Sequence, residues 1–149
     1  MLLGGKGSIK AAILGMTLGT GKPHVLRAAL ESIAYQVNDL VKAMTTQAGI
    51  KLKEIRVDGG PTKNKFLMQF QADILQTPIE RAQMEETTAL GAAFLAGLAV
   101  GFWNDQEELK ELSKLGDEFM PLMKRENAEQ LYQGWQRAIK AAQFFSHGE

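Results

Sequence analysis

The chain has 149 residues, and its 45% hydrophobic content is enough to build the core of one globular domain. Lysine and arginine together number 17 and so do aspartate and glutamate, so no net field draws the chain toward nucleic acid or an anionic membrane, and we expect neither as a partner. The absence of cysteine excludes disulfides and thiolate metal sites, and it suits a cytoplasmic location. The only two histidines, His24 and His147, are far apart in the sequence, so we predict no metal centre.

The first part of the chain predicts a strand followed by a long helix. Residues 1–10 lack the features of a signal peptide, and we expect them to be a leader or a non-native start. Ala11–Met16 is a short apolar run closed by glycines, which predicts a buried strand and a turn. Pro23 suits a first helical turn, and the apolar spacing that follows predicts an amphipathic helix ending near Gly49.

The middle of the chain predicts a strand, a glycine turn and a helix. Ile55–Val57 is a short β-branched run that stops at Asp58-Gly59-Gly60-Pro61. Apolar residues then recur with a helical period as far as Leu75. Thr77–Arg81 follows as an edge strand, because a proline at a strand end removes a donor that an edge does not need.

The last third of the chain is predicted to be helical. A helix opens at Thr87 or Thr88 and is rich in small residues, which favours close packing, and its apolar run is too short to span a membrane. Asn104 and Glu107 resemble a capping box before a short helix. A final amphipathic helix is expected over about residues 127–145. The aromatic side chains here, including Trp103, are expected to pack rather than to stack on nucleic acid.

This order of elements indicates an α/β fold with at least part of its sheet parallel. Only three short strands are predicted, whereas sheets commonly have about four to six. We therefore expect an incomplete domain, the tail of a larger sheet with its earlier strands upstream. An exposed sheet edge of this kind also predicts association between copies, and hence a homo-oligomer.

The strongest indication of chemistry is the turn between Val57 and the helix that starts near Asn64. Glycines let a backbone approach a ligand closely, and the first N–H groups of a helix favour a phosphate or another polar group. The turn contains neither a Walker sequence nor the full dinucleotide fingerprint, so a tight turn without a ligand remains the alternative on spacing alone.

Several blocks of the sequence resemble the FGGY carbohydrate kinase family, and within it the glycerol kinase branch most closely. One signature of the family, an apolar-Gly-apolar strand followed by His, an apolar residue and Ala-x-x-Glu, corresponds to Ala11–Met16, His24-Val25 and Ala28–Glu31. The other similar blocks are Arg27–Gln36, Val57–Gly60, Asn64, Phe66–Gln71 and Thr88–Ala93. The resemblance implies the C-terminal, nucleotide-side domain of a two-domain, actin-like and ribonuclease-H-like ATPase fold, over residues 11–149.

The resemblance also implies where ATP or ADP binds. Gly59 and Gly60 correspond to the family's double glycine beside the nucleotide, and Asn64 corresponds to a nucleotide contact. Lys63 is a weaker candidate, because a single loop lysine can equally face water. Asp58 is the only carboxylate beside the turn, and bonding within its own turn is preferred over metal binding. We therefore predict neither a metal ligand nor a catalytic residue in this chain, although Mg²⁺ is expected in a complete kinase.

The family's general base and its sugar-binding residues have no counterpart here. The resemblance implies a parent enzyme that transfers the ATP γ-phosphate to a sugar or polyol held by a missing N-terminal domain, whereas this chain alone is expected to be inactive. Xylulose, another ketose or a sugar acid is the alternative to a glycerol-like substrate. A non-catalytic nucleotide-binding or assembly module, from a split or degenerate kinase, is the alternative function.

Overall fold

The computed structural model describes residues 12–82, 87–103 and 115–146. Its helices and strands alternate for most of the chain, and a 3₁₀ turn at Gly60–Lys63 precedes the second helix. In chain order the elements are α1 (Lys22–Ala48), β1 (Ile55–Val57), α2 (Lys65–Leu75), β2 (Ile79–Ala82), α3 (Thr87–Ala99), β3 (Leu115–Phe119) and α4 (Arg125–Ser146). The predicted short helix around Asn104 lies outside the described residues.

The strands form a mixed sheet in the order β1-β2-β3. β1 and β2 run parallel, with Ile55 opposite Ile79 and Val57 opposite Arg81, and α2 is the crossover between them. β3 runs antiparallel to β2 and places Phe119 opposite Ile79. The predicted α/β architecture with a partly parallel sheet is therefore confirmed.

The order of the strands corrects two predictions. β2, predicted over Thr77–Arg81 as an edge strand, is the central strand, because β1 pairs with one side of it and β3 with the other. The predicted strand at the start of the chain is also wrong. Residues 12–16 of the predicted strand Ala11–Met16 have no regular structure, and Ala11 lies outside the described residues. Ile13 and Met16 remain 59% and 56% exposed, so this run is not buried either. The prediction is wrong because a strand exists only through ladder bonds to a neighbour, and no described strand lies beside this run. The third strand of the sheet is β3, which the sequence pattern did not predict.

Local hydrogen bonds determine where α1 starts and ends. Pro23 lies in its first turn, and the backbone N–H of Gly21 donates to Nδ1 of His24 over 3.1 Å. Nδ1 of His24 is thus engaged at the start of the helix. The helix ends at Gly49, whose φ of 64° is left-handed and suits glycine. Within the helix, Glu31 pairs with Arg27 at 2.7 Å.

The core forms around α2, which lies between α1 and the sheet. Ile79 on the central strand is fully buried, and Tyr35 of α1 contacts Phe70 of α2 edge-on, with ring centroids 5.5 Å apart. Tyr35 also stacks on Trp135 of α4 at 5.4 Å, so the predicted packing role of Trp135 is confirmed. The buried apolar side chains are Ala34, Tyr35, Leu67, Met68, Phe70, Ala72, Ile74, Ile79, Phe119 and Ala128. Because α2 supplies half of them, the core fixes the helix that follows the glycine turn.

A buried carboxylate attaches α2 to the segment between β3 and α4. Oδ1 of Asp73, a residue only 8% exposed, accepts hydrogen bonds from the backbone N–H groups of Leu122 (2.6 Å) and Met123 (3.0 Å) and from Nε2 of Gln69 (3.1 Å). Nε2 of Gln76 donates to the carbonyls of Asp73 and Met123. The chain that leads into α4 is thus held mainly by side chains of α2.

A second carboxylate joins α4 to α1. Asp39 accepts hydrogen bonds from the Tyr132 hydroxyl (2.5 Å), from Nε1 of Trp135 (2.8 Å) and from Nε2 of Gln136 (3.4 Å), and the Lys42 ammonium lies 3.5 Å from the centroid of the Tyr132 ring. Burial, and then the hydrogen bond to Asp39, raise the pKa of Tyr132 above its ordinary value. The native state thus keeps a proton that the unfolded chain releases above about pH 10, so this contribution to stability is lost as the pH rises further.

We expect Asp39→Ala to lower the free energy of unfolding by about 2 kcal/mol, because it leaves the Trp135 and Tyr132 donors without their acceptor. The groups are only partly buried, so water compensates for part of the loss. Urea unfolding followed by tryptophan fluorescence measures the change. Asp39→Asn is the control, since it keeps an acceptor oxygen and is expected to cost about half as much. Equal stability of Asp39→Ala and the wild type would contradict a role for this cluster.

α3 is rich in small residues. Within the described ranges, the close contact that these small residues allow is with a side chain that follows shortly after the helix in the sequence. A Cβ added to Gly97 would lie 2.0 Å from the Trp103 ring, and Trp103 also contacts Phe94 edge-on, with centroids 5.3 Å apart. Trp103 therefore packs, as predicted, and occupies the space that the glycine leaves. In the described part of the chain, no helix has the length and apolar character needed to cross a bilayer.

Candidate functional site

The candidate site is the turn that connects β1 to α2. Hydrogen bonds between residues of the turn itself stabilise its backbone conformation. The carbonyl of Gly59 accepts from the Thr62 N–H (3.1 Å) and from the Thr62 hydroxyl (2.7 Å). The carbonyl of Pro61 accepts from the N–H of Asn64 (3.1 Å). Thr62 is the buried residue of the 3₁₀ turn, so its side chain faces inward while the neighbouring backbone remains near the surface.

The two glycines of the turn have different roles. Gly59 has φ 88° and ψ 173°, a conformation that is essentially restricted to glycine, so the fold itself requires glycine there. Gly60 has no such φ, and a Cβ added to it would meet no atom within 4 Å. Nothing in the described fold therefore requires glycine at 60. The space in front of Gly60 is open for a ligand that approaches the backbone.

Asn64 lies at the start of α2 with one half of its amide group engaged. Its Oδ1 accepts from the backbone N–H of Leu67 over 3.1 Å, as an N-cap residue does. The side chain is exposed, and the described residues offer no acceptor to its Nδ2. A capping oxygen held in place leaves an oriented N–H donor directed to the surface beside the positive end of the helix dipole. This arrangement suits an oxygen or a ring nitrogen of a ligand.

The charged residues of the turn are all near its surface. Lys63 is exposed and follows Thr62 in the 3₁₀ turn, and the Lys65 ammonium lies 3.9 Å from the carboxylate of Asp117 on β3. Asp58 is exposed and receives no hydrogen bond from another described residue, so the predicted bond within its own turn is absent. Among the described residues, no group of three or more carboxylates and histidines lies close enough together to hold a metal ion.

The structure adds one residue that the sequence pattern did not indicate. Arg81 lies opposite Val57 in the parallel register, next to the point where β1 enters the turn. Its guanidinium lies 3.0 Å from the Asp117 carboxylate and 3.5 Å from the carbonyl of Thr62. Because β1 and β2 run parallel, their C-terminal ends lie side by side at the same end of the sheet. A prediction of that register would have placed Arg81 beside the turn.

The chain matches a known family over most of its length. Residues 5–100 match the FGGY family of carbohydrate kinases, C-terminal domain. The chain belongs to this family. Glycerol kinases are among its relatives: that of Limosilactobacillus reuteri is 58% identical and that of Bacillus cytotoxicus 53% identical, each over 92% of this chain. The chain spans only 27% and 28% of the length of these two relatives.

Solved structures of FGGY kinases share the fold. A structure of Plasmodium falciparum glycerol kinase with ADP superposes with a TM-score of 0.84 and 39% identity, covering 88% of this chain and 26% of that one. Gluconate kinase from Lactobacillus acidophilus gives a TM-score of 0.73 at 25% identity, covering 87% of this chain and 26% of that one. These likenesses confirm the FGGY resemblance and the actin-like ATPase fold predicted for the FGGY C-terminal domain.

Proposed function

We propose that this FGGY domain is the ATP-binding side of a glycerol kinase-like enzyme, which transfers the γ-phosphate of ATP to a hydroxyl of a polyol. The observation that carries the proposal is the turn at Gly60, where an exposed backbone faces open space between a strand end and a helix start. The 58% identity to a glycerol kinase supports the choice of substrate class, and the structural relative solved with ADP supports a nucleotide as the ligand.

The predicted site residues of the turn have distinct roles in this proposal. Gly59 provides the backbone direction, and Gly60 lets the adenosine or its phosphates contact the main chain. Asn64 donates from Nδ2 to the nucleotide while its Oδ1 stays bonded to α2. Lys63 lies close enough in sequence to add a positive charge near a phosphate. Binding and orientation of the nucleotide are what this chain contributes, and phosphoryl transfer depends largely on such positioning.

Mg²⁺ belongs to the complete enzyme in this proposal, where it neutralises phosphate charge during transfer. The described residues include no group of three or more carboxylates and histidines that could hold a metal ion by themselves, and Asp58 is the carboxylate adjacent in sequence to the turn. No step assigned to this chain therefore depends on the metal. We likewise expect its residues to include no general base for the acceptor hydroxyl.

The kinase proposal is tested by joining this chain to the first domain of an FGGY glycerol kinase and measuring ADP formation. We expect phosphorylation that depends on the acceptor and is fastest with glycerol in a panel that also contains xylulose, ribulose and gluconate. The chain alone should give no turnover above background, because half a cleft positions only one reactant. A preference for xylulose or gluconate would show that the proposed substrate, glycerol, is wrong. ADP binding without activity toward any acceptor would instead favour a non-catalytic nucleotide-binding module.

The proposal also includes a cytoplasmic location and association between copies of the chain. A cytoplasmic location is supported by the absence of cysteine and by the ATP that the reaction consumes. Association between copies stays a prediction. It is supported by exposed apolar side chains on α1, of which Leu26 and Met44 are 67% and 60% exposed.

A further inference from the structure

We infer that Arg81 is a positioning residue, which holds the turn of Gly59–Asn64 in the conformation that receives the nucleotide. The inference rests on the proposed role of this turn and goes beyond it, because Arg81 lies on β2 and is remote from the turn in sequence. Its contacts join three elements: β2, on which it lies, β3 through Asp117, and the turn through the carbonyl of Thr62.

The first step concerns the strength of the anchor. Nη2 of Arg81 lies 3.0 Å from Oδ2 of Asp117, and the side chains are 25% and 43% exposed. A partly shielded pair of this kind restricts the guanidinium more than an exposed pair does, although solvent still screens it. The planar guanidinium carries several N–H donors at fixed angles, so fixing one edge on Asp117 fixes the direction of the others.

The second step concerns what the guanidinium holds. Nη1 of Arg81 donates to the carbonyl of Thr62 over 3.5 Å, a long hydrogen bond strengthened by the positive charge. Thr62 is buried, and both its hydroxyl and its N–H bond back to Gly59. Arg81 therefore reaches the residue that already closes the turn. Moving Thr62 would displace Gly59 and Gly60 on one side and Asn64 on the other.

The third step explains why the turn needs an external support. Gly59 adopts a conformation without side-chain restraint, and Gly60 has no atom near its Cβ position, so packing does not hold this side of the turn. Apart from the burial of Thr62, its restraints are the internal hydrogen bonds of the 3₁₀ turn, which have weaker geometry than those of an α-helix. A charged donor from the neighbouring strand supplies the missing restraint while it leaves the outer face open.

The experiment measures the protection of the turn's backbone amides and the affinity for ADP separately. Amide hydrogen exchange of the 149-residue chain reports the Thr62 and Asn64 N–H groups, and calorimetry reports ADP affinity. In Arg81→Gln we expect exchange at these two amides to become about tenfold faster and the ADP dissociation constant to rise about tenfold. The Ile55 N–H, which bonds to the carbonyl of Pro78, should keep its protection.

Arg56→Gln is the matched control. Arg56 also lies on the parallel strand pair and also forms an ion pair, with its Nε 3.2 Å from the carboxylate of Glu80, but it has no contact with the turn. We expect normal exchange at Thr62 and Asn64 in this variant. Arg81→Lys should restore only part of the protection, because a single ammonium cannot hold Asp117 and Thr62 in the same fixed geometry.

Unchanged exchange at Thr62 and Asn64 in Arg81→Gln would overturn the inference, and so would equal loosening in Arg56→Gln. If Arg81→Gln does not fold, Asp117→Asn decides the question, since it keeps the shape of the anchor and removes its charge. A wild-type chain that binds no ADP would count against the nucleotide role of the turn, whereas the exchange results would still decide whether Arg81 holds it.

Discussion

Gly60→Val should weaken ADP binding by at least about 100-fold while the fold stays intact. The backbone at Gly60 is not in a glycine-only conformation, and an added Cβ meets no atom of the described fold, so the substitution adds no clash within the domain. The two extra methyl groups would occupy the open space in front of the turn, where the proposed nucleotide contacts the main chain. Calorimetry with ADP measures the affinity, and urea unfolding measures the stability.

Two further variants separate loss of the ligand from loss of the fold. Gly60→Ala adds a smaller group at the same place and should have an intermediate effect on affinity. Gly59→Ala forces a side chain into φ 88°, which should lower the free energy of unfolding by about 1–3 kcal/mol. If Gly60→Val binds ADP as the wild type does, the nucleotide does not approach Gly60, and the proposed site is wrong.

Asp73→Ala should lower the free energy of unfolding by about 3 kcal/mol, the largest loss that we expect from a single hydrogen-bonding group in this chain. One carboxylate oxygen accepts from two backbone N–H groups and one amide, and these donors point into a largely buried position. Removing the acceptor leaves the two backbone N–H groups unpaired, whereas Nε2 of Gln69 keeps its bond to the carbonyl of Met120. Buried donors without partners are costly. Urea unfolding gives the change in stability, and hydrogen exchange at Leu122 and Met123 gives its location.

Asp73→Asn is the matched control, because it keeps an acceptor at the same position without the charge and should cost about 1 kcal/mol. Asp58→Ala is the second control, since its side chain is exposed and should change stability by less than about 0.5 kcal/mol. A small effect of Asp73→Ala, equal to that of Asp58→Ala, would show that water replaces the carboxylate and that the loop before α4 does not depend on it.

The features that depend on local sequence could be predicted. Ile55–Val57 has the β-branched composition of a strand, and Asn64 is a preferred N-cap residue before a helical apolar period. The glycine turn between them follows from those two boundaries. The first and last helices are likewise close to the expected ranges, with α4 running from Arg125 to Ser146 instead of about 127–145.

The features that depend on distant partners could not be predicted. Ala11–Met16 has a strand-like composition but no described neighbour to pair with, whereas Leu115–Phe119 contains a glycine and two acidic residues and still pairs with β2. What favours β3 is the position of Phe119 opposite Ile79 in the core, which sequence period does not reveal. The contacts of Arg81 were missed for the same reason, because Thr62 and Asp117 are far from it in the chain.

The order of the strands gives the sheet two unlike margins. At one margin, β3 carries Asp117 and Glu118, and charged side chains on an edge strand discourage a further strand from adding there. At the other, β1 pairs with β2 alone in the described part of the chain, and its outer N–H and C=O groups face away from the sheet. Among the described strands, the open margin is therefore that of β1, and we expect any additional strand, from the same protein or another, to add there, on the far side from the antiparallel strand.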